Sequence, residues 1–199
     1  MVQKVLTQGH FDGFCLVYSI FNGYKSLTKP SQNSSVFAYE NMAKWERVVN
    51  ITPSLHHFAS GVGSDFGVRR IATDIKLKRS FVEACFDVIT EGSRRYPVVE
   101  VEDIFNLINI DFSAAVVILC VNENAEFEHG NIGDHWVVLV GRDEDSYLVA
   151  CSYTLHQHGF QERVDEASGR YYNTKISASK VKKSTVYQNS ICKISLEPR

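Results

Sequence analysis

Ala114-Ala-Val-Val-Ile-Leu-Cys-Val121 is apolar and largely β-branched from end to end, of strand length, and bounded by polar residues on both sides. A run with no polar face must be covered on both sides, so it predicts a central strand of a sheet. His135-Trp-Val-Val-Leu-Val-Gly141 is a second such run, Arg142-Asp-Glu-Asp145 a turn, and Tyr147-Leu-Val-Ala-Cys-Ser-Tyr153 a third, which together predict a β-hairpin. Val186 to Leu196 alternates enough to close the sheet, with Tyr171 to Ile176 as a weaker strand candidate.

The cover comes from the first half of the chain. Leu16, Ile20 and Leu27, with Val17, Phe21 and Tyr24 beside them, recur at helical spacing and predict a helix from Cys15 to about Leu27. The polar run Thr28 to Ser35 is a loop by composition, and Phe37, Met42, Trp45 and Val48 or Val49 fall on one face of a second helix from Val36 to Val49. Phe81, Cys85, Val88 and Ile89 mark a third, closed by Glu91-Gly92. Arg94 to Pro97 reads as a turn and Val101 to Ile108 as a short helix with acids in its first turn. Helices first and an antiparallel sheet second is an α+β layout.

The 199 residues suit one core, and no linker or repeat divides them, so residues 1–199 are expected to form one domain. A formal charge of −2 gives no field to attract nucleic acid or an anionic membrane. No run approaches the roughly 20 apolar residues that span a bilayer, and the first residues lack a signal peptide's apolar stretch, so a cytoplasmic protein is expected. Five widely spaced cysteines with no C-x-x-C pair fit reduced thiols, and neither His56-His57 nor His156-x-His158 has a cysteine cluster to make a zinc site with. The glycines of Gly61 to Gly67 are followed by no Lys-Ser/Thr, which argues for a plain loop over a phosphate cradle. Neither metal nor cofactor is expected.

The chemistry concentrates in Gln8 to Asn22, where a polar, glycine-hinged lead-in meets the first helix at Cys15. A thiol in a helix's first turn sits beside unpaired backbone N–H groups and the positive end of the macrodipole, which favours the thiolate. Gln8, folded back across the Asp12-Gly13 turn, can bring its side-chain amide next to the sulfur as an oxyanion donor. His135 heads an apolar strand, which puts its imidazole at a sheet edge, a position suited to a general base for a cysteine far upstream.

Gln8-Gly9 ahead of Cys15, a helix beginning at Cys15, and His135-Trp-Val-Val-Leu-Val-Gly heading a hairpin resemble the papain-like cysteine hydrolases. The local form Gln-Gly-x-x-Asp-Gly-Phe-Cys is similar to bacterial papain-like proteins with a Gln…Asp-Gly-x-Cys lead. The resemblance implies a nucleophile helix packed on a C-terminal antiparallel sheet, with Cys15 as nucleophile, His135 as base and Gln8 as oxyanion donor. Leu16 stands where many relatives have glycine or an aromatic, and the spacing from Gln8 to Cys15 is one residue longer than in plant-type papain. The family also backs its histidine with Asn or Asp on the next strand. With the turn centred near Asp143 and Glu144, paired positions sum to about 287, which sets Ser152 opposite His135 and leaves Cys151 and Tyr153 as the one-residue alternatives. Asp143, Asp145 and Asp165 are the carboxylates of nearby segments, while Asp134 should point to the opposite face.

The expectation is therefore a cysteine-dependent hydrolase or acyltransferase (peptidase, deamidase or transamidase) acting on an amide bond of a protein or peptide. Its specificity pocket would lie around Ser54 to Gly67 and Asn122 to Asp134. A papain-like fold kept as a binding or inhibitory module is the alternative, and the small, signal-free form also fits a bacterial effector acting on a host or rival protein.

Overall fold

Helices do come first and the sheet second in the computed structural model, which describes residues 3–8, 13–53, 55–56, 75–153, 162–187 and 189–199. The helices are α1 (Cys15–Thr28), α2 (Ser34–Glu40), α3 (Met42–Asn50) and α4 (Ile75–Thr90). After them come β1 (Arg95–Val101), β2 (Ala115–Val121), β3 (Glu126–Phe127), β4 (Gly130–Asn131), β5 (His135–Arg142), β6 (Ser146–Ala150), β7 (Arg163–Val164), β8 (Tyr171–Tyr172), β9 (Thr174–Ser177) and β10 (Cys192–Pro198). Six of these strands form one sheet in the order β1-β10-β2-β5-β6-β9, every neighbouring pair antiparallel.

β2 is buried at every residue, as its unbroken apolar run requires. Val116, Ile118 and Cys120 face the core shared with α1, along with Trp136, Val138 and Val140 of β5. Val117, Leu119 and Val121 face a second cluster under Leu107 and Phe112, together with Val137 and Leu139.

Two helical readings and one turn reading change: the short helix expected over Val101 to Ile108 is a 3₁₀ helix over Ile104–Asn109, since Val101 still belongs to β1. The segment read as one helix over residues 36–49 is two, split at Asn41, whose φ of −111° and ψ of 13° leave the α region. Met42, expected in the core, is exposed, while Phe37 and Val48 are fully buried. Arg94 to Pro97, read as a turn, instead opens β1, an edge strand paired with β10 alone. Pro97 disguises it, because proline is tolerated in a sheet only where a missing N–H breaks no ladder. The Gly61 to Gly67 loop and His57, His156 and His158 lie outside the described residues.

The hairpin register also differs from expectation. Its turn is one residue further on, pairing Arg142 with Tyr147 and Gly141 with Leu148, and a bulge between Leu139 and Gly141 then shifts the ladder to Leu139 with Val149 and Val138 with Ala150. Continued to the strand's start, this register sets Tyr153, not Ser152, opposite His135. The bulge is held from outside: Arg170 Nη1 donates to Val140 O at 3.1 Å and to Ala115 O at 2.7 Å. A Cβ on Gly141 would lie 2.9 Å from Asp165 Oδ2 and 3.1 Å from Leu148 Cδ1, so any larger residue there requires those side chains to move.

α1 lies along β5 and β2. Ser19 Oγ donates to Trp136 O at 2.9 Å, and a Cβ built on Gly23 would meet Val116 Cγ2 at 3.4 Å and Val138 Cγ2 at 3.7 Å. Gly23→Ala therefore adds a side chain that just fits and removes a flexible residue from a helix, and it should leave thermal stability equal or raised by up to ~1 kcal/mol. Gly23→Leu should lower it by about 1–3 kcal/mol, because the helix must lift off the sheet. Chemical denaturation of the two variants checks both signs, and a Leu variant as stable as wild type would mean that α1 is not in close contact here.

Candidate active site

The packing of α1 fixes where Cys15 stands. Ser19 meets β5 at Trp136 and Gly23 meets it at Val138. Four helical residues advance ~6.0 Å and two strand residues ~6.6 Å, so helix and strand run in step. One turn back, the same step brings Cys15 level with Asp134, the residue just before His135 opens β5. Electrostatics point to the same spot. Cys120 on β2 and Cys151 just past β6 flank that end of β5, and the charge of Cys15 contributes to raising the pKa of both thiols.

Cys15 is the first residue of α1, and Phe14 at the N-cap offers no side-chain cap. No acid lies in the first turn, so the dipole there is uncompensated from within the helix. Cys15 and His135 are both buried, at 6% and 4% exposure.

His135 is gripped at the rim of the sheet. Its Nε2 lies 3.5 Å from Ser152 Oγ, the outer limit of a hydrogen bond, and its ring meets that of Tyr153 edge-on with centroids 5.6 Å apart. Ser152, wholly buried, donates its hydroxyl to Gln8 Oε1 at 3.0 Å, and Gln8 N donates back to Ser152 O at 2.9 Å. Gln8, Ser152 and His135 thus form one chain of polar contacts. A hydroxyl that gives its proton to Gln8 presents its lone pairs to the imidazole.

Three of the carboxylates that might have supported the ring are engaged elsewhere. Asp134 Oδ1 accepts from Tyr187 Oη at 2.8 Å. Asp143 pairs with Lys175 at 2.6 Å and caps Ser146 N at 2.7 Å, and Asp165 accepts from Ser168 Oγ at 2.5 Å. Tyr153 was weighed only as a register alternative, and Tyr187, over fifty residues from its partner, carries no local signal. Of the two loops expected to shape a pocket, Ser54 to Gly67 lies almost wholly outside the described residues. Asn122 to Asp134 carries the short β3–β4 hairpin.

Among the described residues, no group of three or more His, Cys, Asp or Glu side chains could hold a metal ion, and no helix is long and apolar enough to cross a membrane. Compared with known proteins, the chain matches no family model, no curated protein and no solved structure.

All five cysteines are free thiols and all five are buried, Cys15 alone lying at the start of a helix. Burial holds the Cys85 and Cys120 thiols well above the usual range, pushes Cys151 up to about 12, and raises Cys192 against the opposing pull of Lys78. Native protein treated with a maleimide near neutral pH should therefore stay unmodified at these four positions, and all five should react after denaturation. Peptide mass mapping reads this directly. Modification of Cys120 or Cys151 in the folded protein would contradict their burial.

Proposed function

We propose that the chain is a papain-like cysteine hydrolase or acyltransferase that acts on an amide bond of a protein or peptide through Cys15 and His135. The observation that carries this reading is the polar chain from Gln8 through Ser152 to His135 Nε2, assembled at the strand end over which the first residue of α1 lies. With Nε2 turned to Ser152, Nδ1 is the ring nitrogen that serves the sulfur.

In the forward step the Cys15 thiol gives its proton to His135, and the sulfur attacks the amide carbonyl carbon, forming a C–S bond. The imidazolium proton passes to the departing nitrogen as the C–N bond breaks, leaving a thioester and a free amine or ammonia. Water or another amine then attacks the thioester, His135 takes its proton, and Cys15 is released. The oxyanion would be met by backbone N–H groups at the start of α1 and by the Nε2 end of the Gln8 amide, whose oxygen is committed to Ser152.

Second-order alkylation of Cys15 by iodoacetamide tests the pair without a known substrate. Cys15 should react faster than free cysteine at neutral pH, and His135→Ala should slow it by about 10²-fold, in the range of general-base contributions. Ser152→Ala should cost less, about tenfold, because it removes orientation and not the base. If His135→Ala leaves the rate unchanged in a folded protein, the catalytic reading is lost, and a papain-like binding module becomes the better account.

A further inference from the structure

The two side chains described against the imidazole of His135, those of Ser152 and Tyr153, come from one short strip, residues 151–153, that lies past the end of β6 and belongs to no strand. Such a strip has no ladder to fix it, and its buried polar groups must find other partners. Cys151 and Ser152 are both wholly buried. Whatever fixes them decides where Ser152 Oγ stands. At 3.5 Å from Nε2 that hydroxyl is already at the outer limit of a hydrogen bond, so a small retreat ends the contact.

The ladder that would have continued along Cys151 is broken at Asn173. β9 pairs with β6 as far as Thr174 opposite Val149, and Asn173 N donates to Val149 O at 3.0 Å. The chain bends there, and β8, directly before Asn173, pairs with β7, Tyr172 standing opposite Arg163. The carboxamide of Asn173 takes the place beside Cys151. Its Oδ1 accepts from Cys151 N and its Nδ2 donates to Cys151 O, both at 2.8 Å. An opposed residue of an antiparallel strand exchanges two bonds of this kind through its backbone, and here one side chain supplies both.

Asn173 is itself 4% exposed, and the two bonds fix which end of its amide is oxygen and which is nitrogen. Gln8 grips the next residue, donating from its backbone to Ser152 O and accepting from Ser152 Oγ. Tyr153 N donates to Cys151 Sγ at 3.4 Å, so a shift of Cys151 is passed along the strip. Gln8 aims the Ser152 hydroxyl, and Asn173 sets the backbone that carries it. Without its carboxamide the Cys151 N–H and C=O would be buried and unpaired, and the strip would have to move to regain partners.

We propose that Asn173 is a positioning residue of the candidate active site, whose carboxamide replaces a partner strand beside Cys151 and thereby holds the Ser152 hydroxyl on the imidazole of His135. The proposal rests on the Cys15–His135 reading above and adds to it a residue that acts through Ser152.

The test uses the full chain and needs no substrate. The ring nitrogens of His135, which report its hydrogen bonds, are followed by NMR in protein carrying isotope-labelled histidine, with His135→Ala to assign them. Ser152→Ala gives the reference displacement. Asn173→Leu, close to asparagine in shape but with neither donor nor acceptor, should move the Nε2 resonance in the same direction. It should add no further movement when residue 152 is already alanine. Iodoacetamide alkylation of Cys15 should slow about tenfold in Asn173→Leu, the worth of roughly one hydrogen bond, and be no slower in the double variant than in Ser152→Ala alone. An Nε2 resonance unmoved by Asn173→Leu, or moved equally with and without the Ser152 hydroxyl, overturns the proposal. In the wild-type protein the Cys151 amide should exchange with deuterium as slowly as the ladder amides of β5; exchange as fast as an exposed amide overturns the proposal with no variant needed. If Nε2 responds to Asn173→Leu while His135→Ala leaves alkylation unchanged, the positioning stands and the hydrolase reading falls. Alkylation that depends on His135, with an Nε2 resonance indifferent to Asn173→Leu, has the opposite meaning.

Discussion

The contact on which the rest depends is that of α1 with β5, made through a hydroxyl at Ser19 and a missing side chain at Gly23. A helix advances 1.5 Å per residue and a strand about 3.3 Å, so a helix lying along a strand meets it nearly in register every four helical residues. Two fixed meetings define the whole alignment. Cys15 is the first residue of its helix and so lies at the end of the shared line.

The same helix carries the other half of the site. Asn22, on the face that holds Ser19, clamps both polar groups of Leu6, and Glu162 accepts from the amides of Lys4 and Val5 at 2.7 Å each. A short segment with no secondary structure is thereby held as firmly as a strand. Gln8 at its end reaches Ser152 through both backbone and side chain. α1 and the polar support of His135 are connected through the amide of Asn22, so a disturbance of α1 would be felt on both sides of the candidate site.

Much of this was legible in the residues, and the failures have physical causes. Long patterns survived translation: the helix from Cys15, the buried run of β2, and the hairpin headed by His135 each rest on seven or more residues that agree. Local punctuation misled. Pro97 was read as a turn although an edge strand accommodates it, and Asn41 broke a helix whose apolar spacing continued across the break. The hairpin register missed because the turn falls one residue later than expected, and the bulge at Val140, bonded by Arg170 thirty residues away, which no local pattern can report, takes back only half of that offset. Ser152 nevertheless reaches the histidine, because residues 151–153 have left the ladder and strict alternation no longer governs them.

What supports His135 also bears on how the proposed chemistry runs. A carboxylate beside an imidazole stabilises its protonated form, and here the ring has dipoles instead: the Ser152 hydroxyl, oriented by Gln8, and the edge of Tyr153. An aspartate at position 152 would be wholly buried and would face the oxygen of Gln8, so the neutral side chain suits its surroundings. The Ser152 hydroxyl therefore orients the ring without adding a charge to the site, and on the proposed mechanism the proton of Cys15 passes to an imidazole that is held in place by dipoles alone.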